Sequence, residues 1–299
     1  TDQAWRLNNL YKITDKSGQL ITFQMNAEQQ RMFNDMHYLN LVLKCRQFGG
    51  TTFIDLFSLD RGIWNPNQEF VLSAHKLEDG KKIFQTKILD PWRSMDDRIR
   101  PKAVVDSKTE LILENGSGFR VSTSARSGTT QILHISEFGY TCARNPDKAK
   151  EIVTGSLNAV DQGQIVFIES TAMGRLGYFY QYCMDGLRLS RMMKKLTSQE
   201  WRLFFFPWHE HPEYQLSEDE AGLIVINSDH EEYFEELAAK HGIKLTDRQK
   251  AWYVTKLQKQ ATAEDMAREY PSYPEEAFKV STEGSFYGKE VVKMYADKR

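Results

Sequence analysis

Hydrophobic positions along the chain fall into short, nearly unbroken runs separated by longer mixed stretches. Such runs occur at 40–44 (Asn-Leu-Val-Leu-Lys), 70–74 (Phe-Val-Leu-Ser-Ala), 131–136 (Gln-Ile-Leu-His-Ile-Ser), 164–170 (Gln-Ile-Val-Phe-Ile-Glu-Ser) and 203–206 (Leu-Phe-Phe-Phe). They are too short for core helices and lack an alternating polar face, so they read as strands buried on both sides. Between them, Asn26-Ala27-Glu28-Gln29 has the form of a capping box opening a helix to His37, with Met32, Phe33 and Met36 on one face. Further helices are predicted over 51–63, closed by Asn65-Pro66-Asn67, over 76–90, ending before Pro91, and over 146–159. Thr109 to Glu114 and Phe119 to Ser124 alternate around Asn115-Gly116-Ser117-Gly118 and predict a hairpin. Short buried strands alternating with helices define an α/β fold with a largely parallel sheet.

The two ends differ from this middle. Residues 1–22 are polar with scattered aromatics around the turn Asp15-Lys16-Ser17-Gly18, which suits a short hairpin or an embracing arm. From 215 onward the chain is charged and helical over 217–222, 229–241 and 246–270, with a break at His241-Gly242. The organisation expected is an arm at 1–25, a core at 26–214, a helical lid or linker subdomain at 215–280 and the start of a further linker at 281–299.

Composition narrows the picture little. The 299 residues carry 39 Lys and Arg against 41 Asp and Glu, a formal net charge of −2. That balance removes any bulk-charge argument for nucleic-acid binding, yet it leaves room for a basic stripe. Cys45, Cys142 and Cys183 are too far apart for a zinc pattern or a disulfide framework, so a reducing compartment is expected. No membrane-spanning run or signal core is visible, and a cytosolic protein without a membrane partner follows as the expectation. The chain opens on Thr1 instead of Met, which suggests a trimmed protein and leaves room for further domains.

Chemistry concentrates where the runs end. Lys44-Cys45-Arg46-Gln47-Phe48-Gly49-Gly50-Thr51-Thr52 follows the first strand and has the form of a phosphate-binding loop. The usual lysine position is Gly50, and the amine on offer is Lys44, at the front of the loop. Gly49 and Gly50 let the backbone approach an anion, and Thr51 or Thr52 offers a hydroxyl to Mg²⁺. The same Gly-Gly-Thr-Thr also reads as a plain turn with a helix N-cap. Ile132 to Glu137 is an apolar strand ending in a carboxylate, so Glu137 is either a general base or an exposed strand-end acid; it is expected as a lone carboxylate on an adjoining strand, facing Lys44. Ser136 precedes it, where an Asp is usual, and can hydrogen-bond a metal-bound water. Glu169-Ser170-Thr171-Ala172 sets small hydroxyls at a strand end, either to sense a phosphate or to cap a helix. Arg126, within 124–130, is either a charge-neutralising finger, from its own or a neighbouring subunit, or a partner for a surface carboxylate.

Taken in order, these segments, together with Tyr270-Pro271-Ser272-Tyr273-Pro274-Glu275-Glu276-Ala277-Phe278, resemble the ATPase domain of the large terminase subunit, the DNA-packaging motor of tailed bacteriophages. The likeness spans residues 20 to 290, with Lys44 to Thr52 as a deviant Walker A, Ile132 to Glu137 as Walker B and Ser170-Thr171-Ala172 as the coupling motif. It implies a P-loop NTPase of the ASCE/RecA-like kind, with ATP and Mg²⁺ as cofactors. By the same likeness, Gln29 contacts adenine and Lys44 and Arg46 contact phosphates. Gln47, Gly49, Gly50 and Thr52 complete the cradle, Thr51 ligates Mg²⁺ with Ser136 beside it, Glu137 activates water, and Arg126 is the finger. The partners implied are double-stranded DNA, a portal protein, a terminase small subunit and further copies of the chain in a ring on the procapsid, all in the host bacterial cytoplasm. Lys81, Lys82, Lys194 and Lys195 are either DNA contacts or solvated surface charge. The family's carboxyl-terminal nuclease would start near Gly284-Ser285-Phe286-Tyr287, and the chain stops at Arg299, so nuclease activity is expected to be missing. Two alternatives stand beside this reading, a helicase-like ATPase and a nucleotide- or DNA-binding module without turnover.

Overall fold

The computed structural model describes residues 2–123, 130–161 and 163–279. Its first unit, Thr1–Thr171 with Leu176–Phe206, begins with α1 (Gln3–Asn9) and a hairpin of β1 (Lys12–Thr14) and β2 (Leu20–Thr22). It continues through α2 (Ala27–Asn34), β3 (Leu39–Lys44), α3 (Gly50–Trp64), β4 (Glu69–Ser73), α4 (Leu77–Phe84), α5 (Asp90–Arg93), β5 (Ala103–Asp106), β6 (Glu110–Leu113) and β7 (Gly118–Ser122). Then come β8 (Ile132–Ser136), α6 (Phe138–Arg144), α7 (Pro146–Glu151), β9 (Ile165–Ser170), α8 (Tyr178–Arg191) and β10 (Trp201–Phe206).

Eight strands form one sheet in the order β10-β3-β9-β8-β4-β7-β6-β5. The pairs from β10 to β7 are parallel, and the hairpin β6–β7 with β5 adds an antiparallel edge. This is the mostly parallel α/β sheet that the apolar runs predict. One detail differs from expectation: β9 lies between β3 and β8, so the strand ending near Glu137 does not adjoin the loop strand. The carboxyl ends of β3, β9 and β8 therefore lie side by side, where ligands bind in open parallel sheets.

The helix α3 leaves the loop and packs on the sheet. Nearly all of its residues are buried, Phe53, Ile54, Leu56, Phe57 and Leu59 among them, and Phe57 meets Phe167 edge to face at 6.1 Å. Three polar residues of this helix, Asp55, Ser58 and Asp60, are buried as well. Asp60 is neutralised by the amino-terminal arm: Arg6 donates Nε and Nη2 to its two oxygens at 2.9 and 2.8 Å, and the Tyr11 hydroxyl donates at 2.7 Å. Burying a charge is costly unless it is paired and hydrogen-bonded, so this bidentate contact holds the arm to the core.

Two helices depart from the sequence reading. The segment expected to stop before Pro91 runs through it, because a π-helical turn over Gln85–Leu89 widens the spiral and the Asp90 N–H bonds to the Gln85 carbonyl. Pro91 follows directly in the first turn of α5 and brings no N–H to the spiral. The stretch expected at 146–159 is likewise broken into α7, a π-helical turn over Ile152–Ser156 and a 3-10 turn over Leu157–Ala159.

The second unit comprises Ala172–Arg175 and the residues from Pro207. Its helices are α9 (Glu218–Ala221), α10 (Ser228–His241), α11 (Asp247–Leu257) and α12 (Ala263–Glu269). Side-chain caps from Ser217, Asn227, Thr246 and Thr262 start them, and α10 ends at Gly242 with φ +69°. Aromatic rings form the core, with Trp252 stacked on Trp208 at 5.1 Å and on Tyr214 at 4.6 Å. The Tyr270 to Phe278 segment closes this core: buried Glu276 accepts from the Tyr233 hydroxyl at 2.9 Å and the Ser272 N–H at 2.5 Å, and the Trp208 indole donates to Ser272 Oγ at 3.0 Å.

Removing one partner from the buried Arg6–Asp60 pair should be far costlier than removing an exposed one. Arg6→Ala is expected to lower unfolding free energy by about 3 kcal/mol. Lys81→Ala, which breaks a surface pair with Glu78, should cost under about 1 kcal/mol. Urea titration of both variants checks the contrast.

Candidate functional site

Side chains two residues apart on a strand share a face, and partners in a parallel ladder share it too. Glu169 on β9 is registered with Ser136 on β8 and Val42 on β3. Lys44 lies two residues beyond Val42, and His134 two before Ser136. One sheet face thus carries Lys44, Glu169, Ser136 and His134 on three neighbouring strands, and α3 covers it with Thr51 and Asp55, one turn apart.

These side chains meet at the Glu169 carboxylate. Lys44 Nζ donates to Oε2 at 2.9 Å, while Thr51 and Ser136 hydroxyls donate to Oε1 at 2.5 and 3.2 Å. His134 Nε2 lies 3.2 Å from Oε1, an ion-pair contact outside good hydrogen-bond alignment, and its Nδ1 is 2.8 Å from Asp55 Oδ1. Lys44 Nζ is also 3.3 Å from Glu137 Oε1, and the Ser170 hydroxyl is 3.4 Å from Glu137 Oε2. Lys44 therefore faces two carboxylates and not the lone one expected. They differ in setting: the Glu169 side chain has no solvent exposure, and that of Glu137 is 36% exposed.

Charge follows from this geometry. Burial opposes ionisation of Glu169, but Lys44 and His134, with the Thr51 hydroxyl, outweigh it and hold the carboxyl well below the usual range. Burial likewise works against the Lys44 ammonium, and Glu169 and Glu137 outweigh it and raise its pKa. For His134, burial is overcome by Asp55 and Glu169, which push it up to about 9. Burial raises Asp55 despite the opposing pull of His134.

The loop is held open from behind. The Asn26–Gln29 capping box forms as expected, and the Gln29 amide also donates to the Gly49 carbonyl at 2.8 Å, while the Asn26 amide donates to that of Phe48 at 3.1 Å. Gly49 has φ +87°, a left-handed conformation that favours glycine. A Cβ on Gly50 would lie 2.1 Å from Phe48 Cζ, whose ring stacks on Phe206 at 4.7 Å. Glu137 itself is left-handed at φ 55° and ψ 43°, a strained corner that aims its carboxylate along the strand ends.

Of the residues singled out in the sequence, Lys44, Thr51, Ser136, Glu137 and Ser170 converge here. Gln29 is buried behind the loop with its amide engaged by the loop and its own cap. Arg46 and Gln47 are exposed on the loop, Thr52 is buried in α3, Thr171 is half-buried, and Ala172 is counted with the second unit. Arg126 lies outside the described residues. Lys81 pairs with Glu78 and Lys194 with Glu200, while Lys82 and Lys195 are exposed. Glu169, His134 and Asp55 were missed as site residues. The signal available for them was charged or titratable residues inside apolar runs, at His134 and Glu169, and an acid one turn after the loop threonine.

Among the described residues, no three His, Cys, Asp or Glu side chains group to hold a metal alone. Mg²⁺ at a phosphate site needs few protein ligands, because substrate oxygens and waters complete its shell. The hydroxyls of Thr51 and Ser136 beside two carboxylates and an amine fit that chemistry. No helix among the described residues is long and apolar enough to cross a membrane.

No protein-family model matches the sequence, and no curated protein does. Solved structures do. The large terminase ATPase domain of Thermus phage P74-26 matches over 84% of this chain and 94% of its own, with a TM-score of 0.54 and 12% identity. An arginine-to-alanine variant of that domain gives a TM-score of 0.53 at the same coverage and identity. The chain is thus an α/β protein whose mostly parallel sheet is similar in fold to a solved terminase ATPase domain. At such identity the likeness establishes the fold alone.

A pH dependence follows from His134. Its folded pKa of about 9 lies above the ordinary 6.5, so its stabilisation is complete below pH 6.5 and is lost as pH rises through 9. Urea unfolding in that window should show a loss on the order of 3 kcal/mol, absent in His134→Asn.

Proposed function

We propose that this chain is an ATP-hydrolysing motor domain that drives double-stranded viral DNA into a procapsid, the ATPase part of a large terminase subunit. The observation that carries the reading is the meeting of Lys44 with Glu137 at 3.3 Å, at the carboxyl ends of parallel strands and beside the glycine loop that opens α3. The fold shared with a solved terminase ATPase domain supports it, as does the ordered series of loop, strand-end acid and strand-end hydroxyls.

When bound, ATP would supply the phosphoryl group and Mg²⁺ a divalent charge to offset its negative oxygens. Lys44 then neutralises phosphate charge from the strand side, Arg46 does so from the exposed loop, and the amides at the start of α3 face the anion. Thr51 would offer its hydroxyl to the metal, and Ser136 would hydrogen-bond a water beside it. Glu137, the solvent-reaching carboxylate, orients the attacking water and accepts its proton. Ser170 touches Glu137 and leads through Thr171 to Ala172 and the second unit, a covalent route from chemistry to movement. Arg126 completes the charge in its own subunit or a neighbour's in a ring. Lys and Arg side chains hold DNA through phosphates, so affinity falls with salt. Portal protein and small subunit are the partners this role requires, in the host cytoplasm.

Calorimetry and phosphate release test the assignment. Lys44→Ala should weaken ATP binding at least about tenfold. Glu137→Gln should keep binding but lower turnover by about 100-fold or more. Unchanged binding and turnover in both variants would leave only a binding module.

A further inference from the structure

The proposed mechanism gives Glu169 no role, yet the side chains meant for phosphate and Mg²⁺ rest on it. Its buried carboxylate receives Lys44 at 2.9 Å and Thr51 at 2.5 Å, together with Ser136 and His134 at 3.2 Å each. Among these, only Lys44 and His134 can carry positive charge, and His134 stands between two carboxylates, Asp55 at 2.8 Å and Glu169 at 3.2 Å. A polyphosphate in the loop would compete for Lys44 and would also bring negative charge toward a carboxylate that no water can reach. An acid left unpaired in such a place is strongly destabilising. Positive charge surrendered by Lys44 must be made good from the opposite side of Glu169, and there His134 stands, fixed through Nδ1 by Asp55 at 2.8 Å.

We propose that the buried His134–Asp55 pair is a counter-charge that keeps Glu169 neutralised when Lys44 is given to a polyphosphate. This inference rests on the nucleotide reading of the loop. His134 is then a positioning residue: it reaches no phosphate and acts through Glu169 on the availability of Lys44. The pair fills the sheet face beneath α3, so a purely structural role must be separated from this one.

The separation comes from the charge on Glu169. Replacing it with the near-isosteric Gln removes the need for a counter-charge while leaving an oxygen for Thr51 and Ser136. Titration calorimetry of the full chain with ATP then compares wild type, His134→Asn, Glu169→Gln and the double variant. His134→Asn should bind ATP at least about tenfold more weakly, because Lys44 can no longer leave Glu169 unpaired. Glu169→Gln should bind no more weakly than wild type, since it frees Lys44 from its buried competitor. The double variant should return to within about threefold of wild type, a non-additivity that loss of packing does not produce. Affinity in His134→Asn close to wild type, or a double variant no tighter than His134→Asn, overturns the inference. Should His134→Asn fail to fold by thermal unfolding, Glu169→Gln decides alone, and weakened affinity there overturns it. A wild-type chain that binds no ATP would instead be a failure of the nucleotide reading itself, and it would take this inference with it.

Discussion

A carboxylate sealed inside a parallel sheet sets the terms for everything around it. Glu169 is out of reach of solvent, and an isolated charge there would be intolerable. It is made tolerable from three different elements, by hydrogen bonds from Lys44 on β3, Thr51 on α3 and Ser136 on β8 and by an ion-pair contact with His134 on β8. Such an arrangement adds little to net stability compared with a well-packed apolar centre, but it penalises any displacement of a single partner. Strand register, the entry of α3 and the path of the loop between them are consequently tied to one point. The loop is held there twice over, since Gln29 and Asn26 grip its carbonyls from the opposite side.

This constraint also accounts for the forward lysine. At the end of a strand, a side chain projects on the face set by alternation, and Lys44 falls on the face that carries Glu169 and Ser136. Its amine reaches the strand ends from beneath the loop, so the position after Gly49 need not supply one. That position is instead a glycine because Phe48 folds back over it, its ring pressed against Phe206. A side chain there would collide with the ring that closes the loop's underside. Lysine at the front and glycine at the back are two consequences of one packing arrangement.

Much of the fold was legible in the sequence, because the apolar runs at 40–44, 70–74, 131–136 and 164–170 are short, dense and bounded by turn residues. The capping box at Asn26 and the hairpin around Asn115-Gly116 were legible for the same reason: their signals are local. What was lost depended on pairing across distance. Glu169 reads as the polar end of an apolar run until β9 is known to insert between β3 and β8, which places it beside Ser136 and Val42. His134 is only one position in the apolar run 131–136 until Asp55 is brought to it from a helix far earlier in the chain. Pro91 misled for a different reason: a π-helical turn lets the chain pass a residue that ordinarily stops a helix.

The neutral residue at 136 follows from the same balance of charge. Ser136 Oγ lies 3.2 Å from a Glu169 oxygen, with His134 equally near and Glu137 next in sequence. An aspartate in place of that serine would set a further carboxylate beside Glu169, and like charges so close disfavour ionisation of both. A hydroxyl, by contrast, donates to Glu169 and leaves its lone pairs for a water. An acid stands instead one strand over, on β9, where Lys44 and His134 both reach it. The two carboxylates at Lys44 thereby part in character: one is locked, desolvated and surrounded by donors, and the other is strained at a backbone corner and open to solvent. Environment rather than residue type separates them, and only the exposed one is open to water.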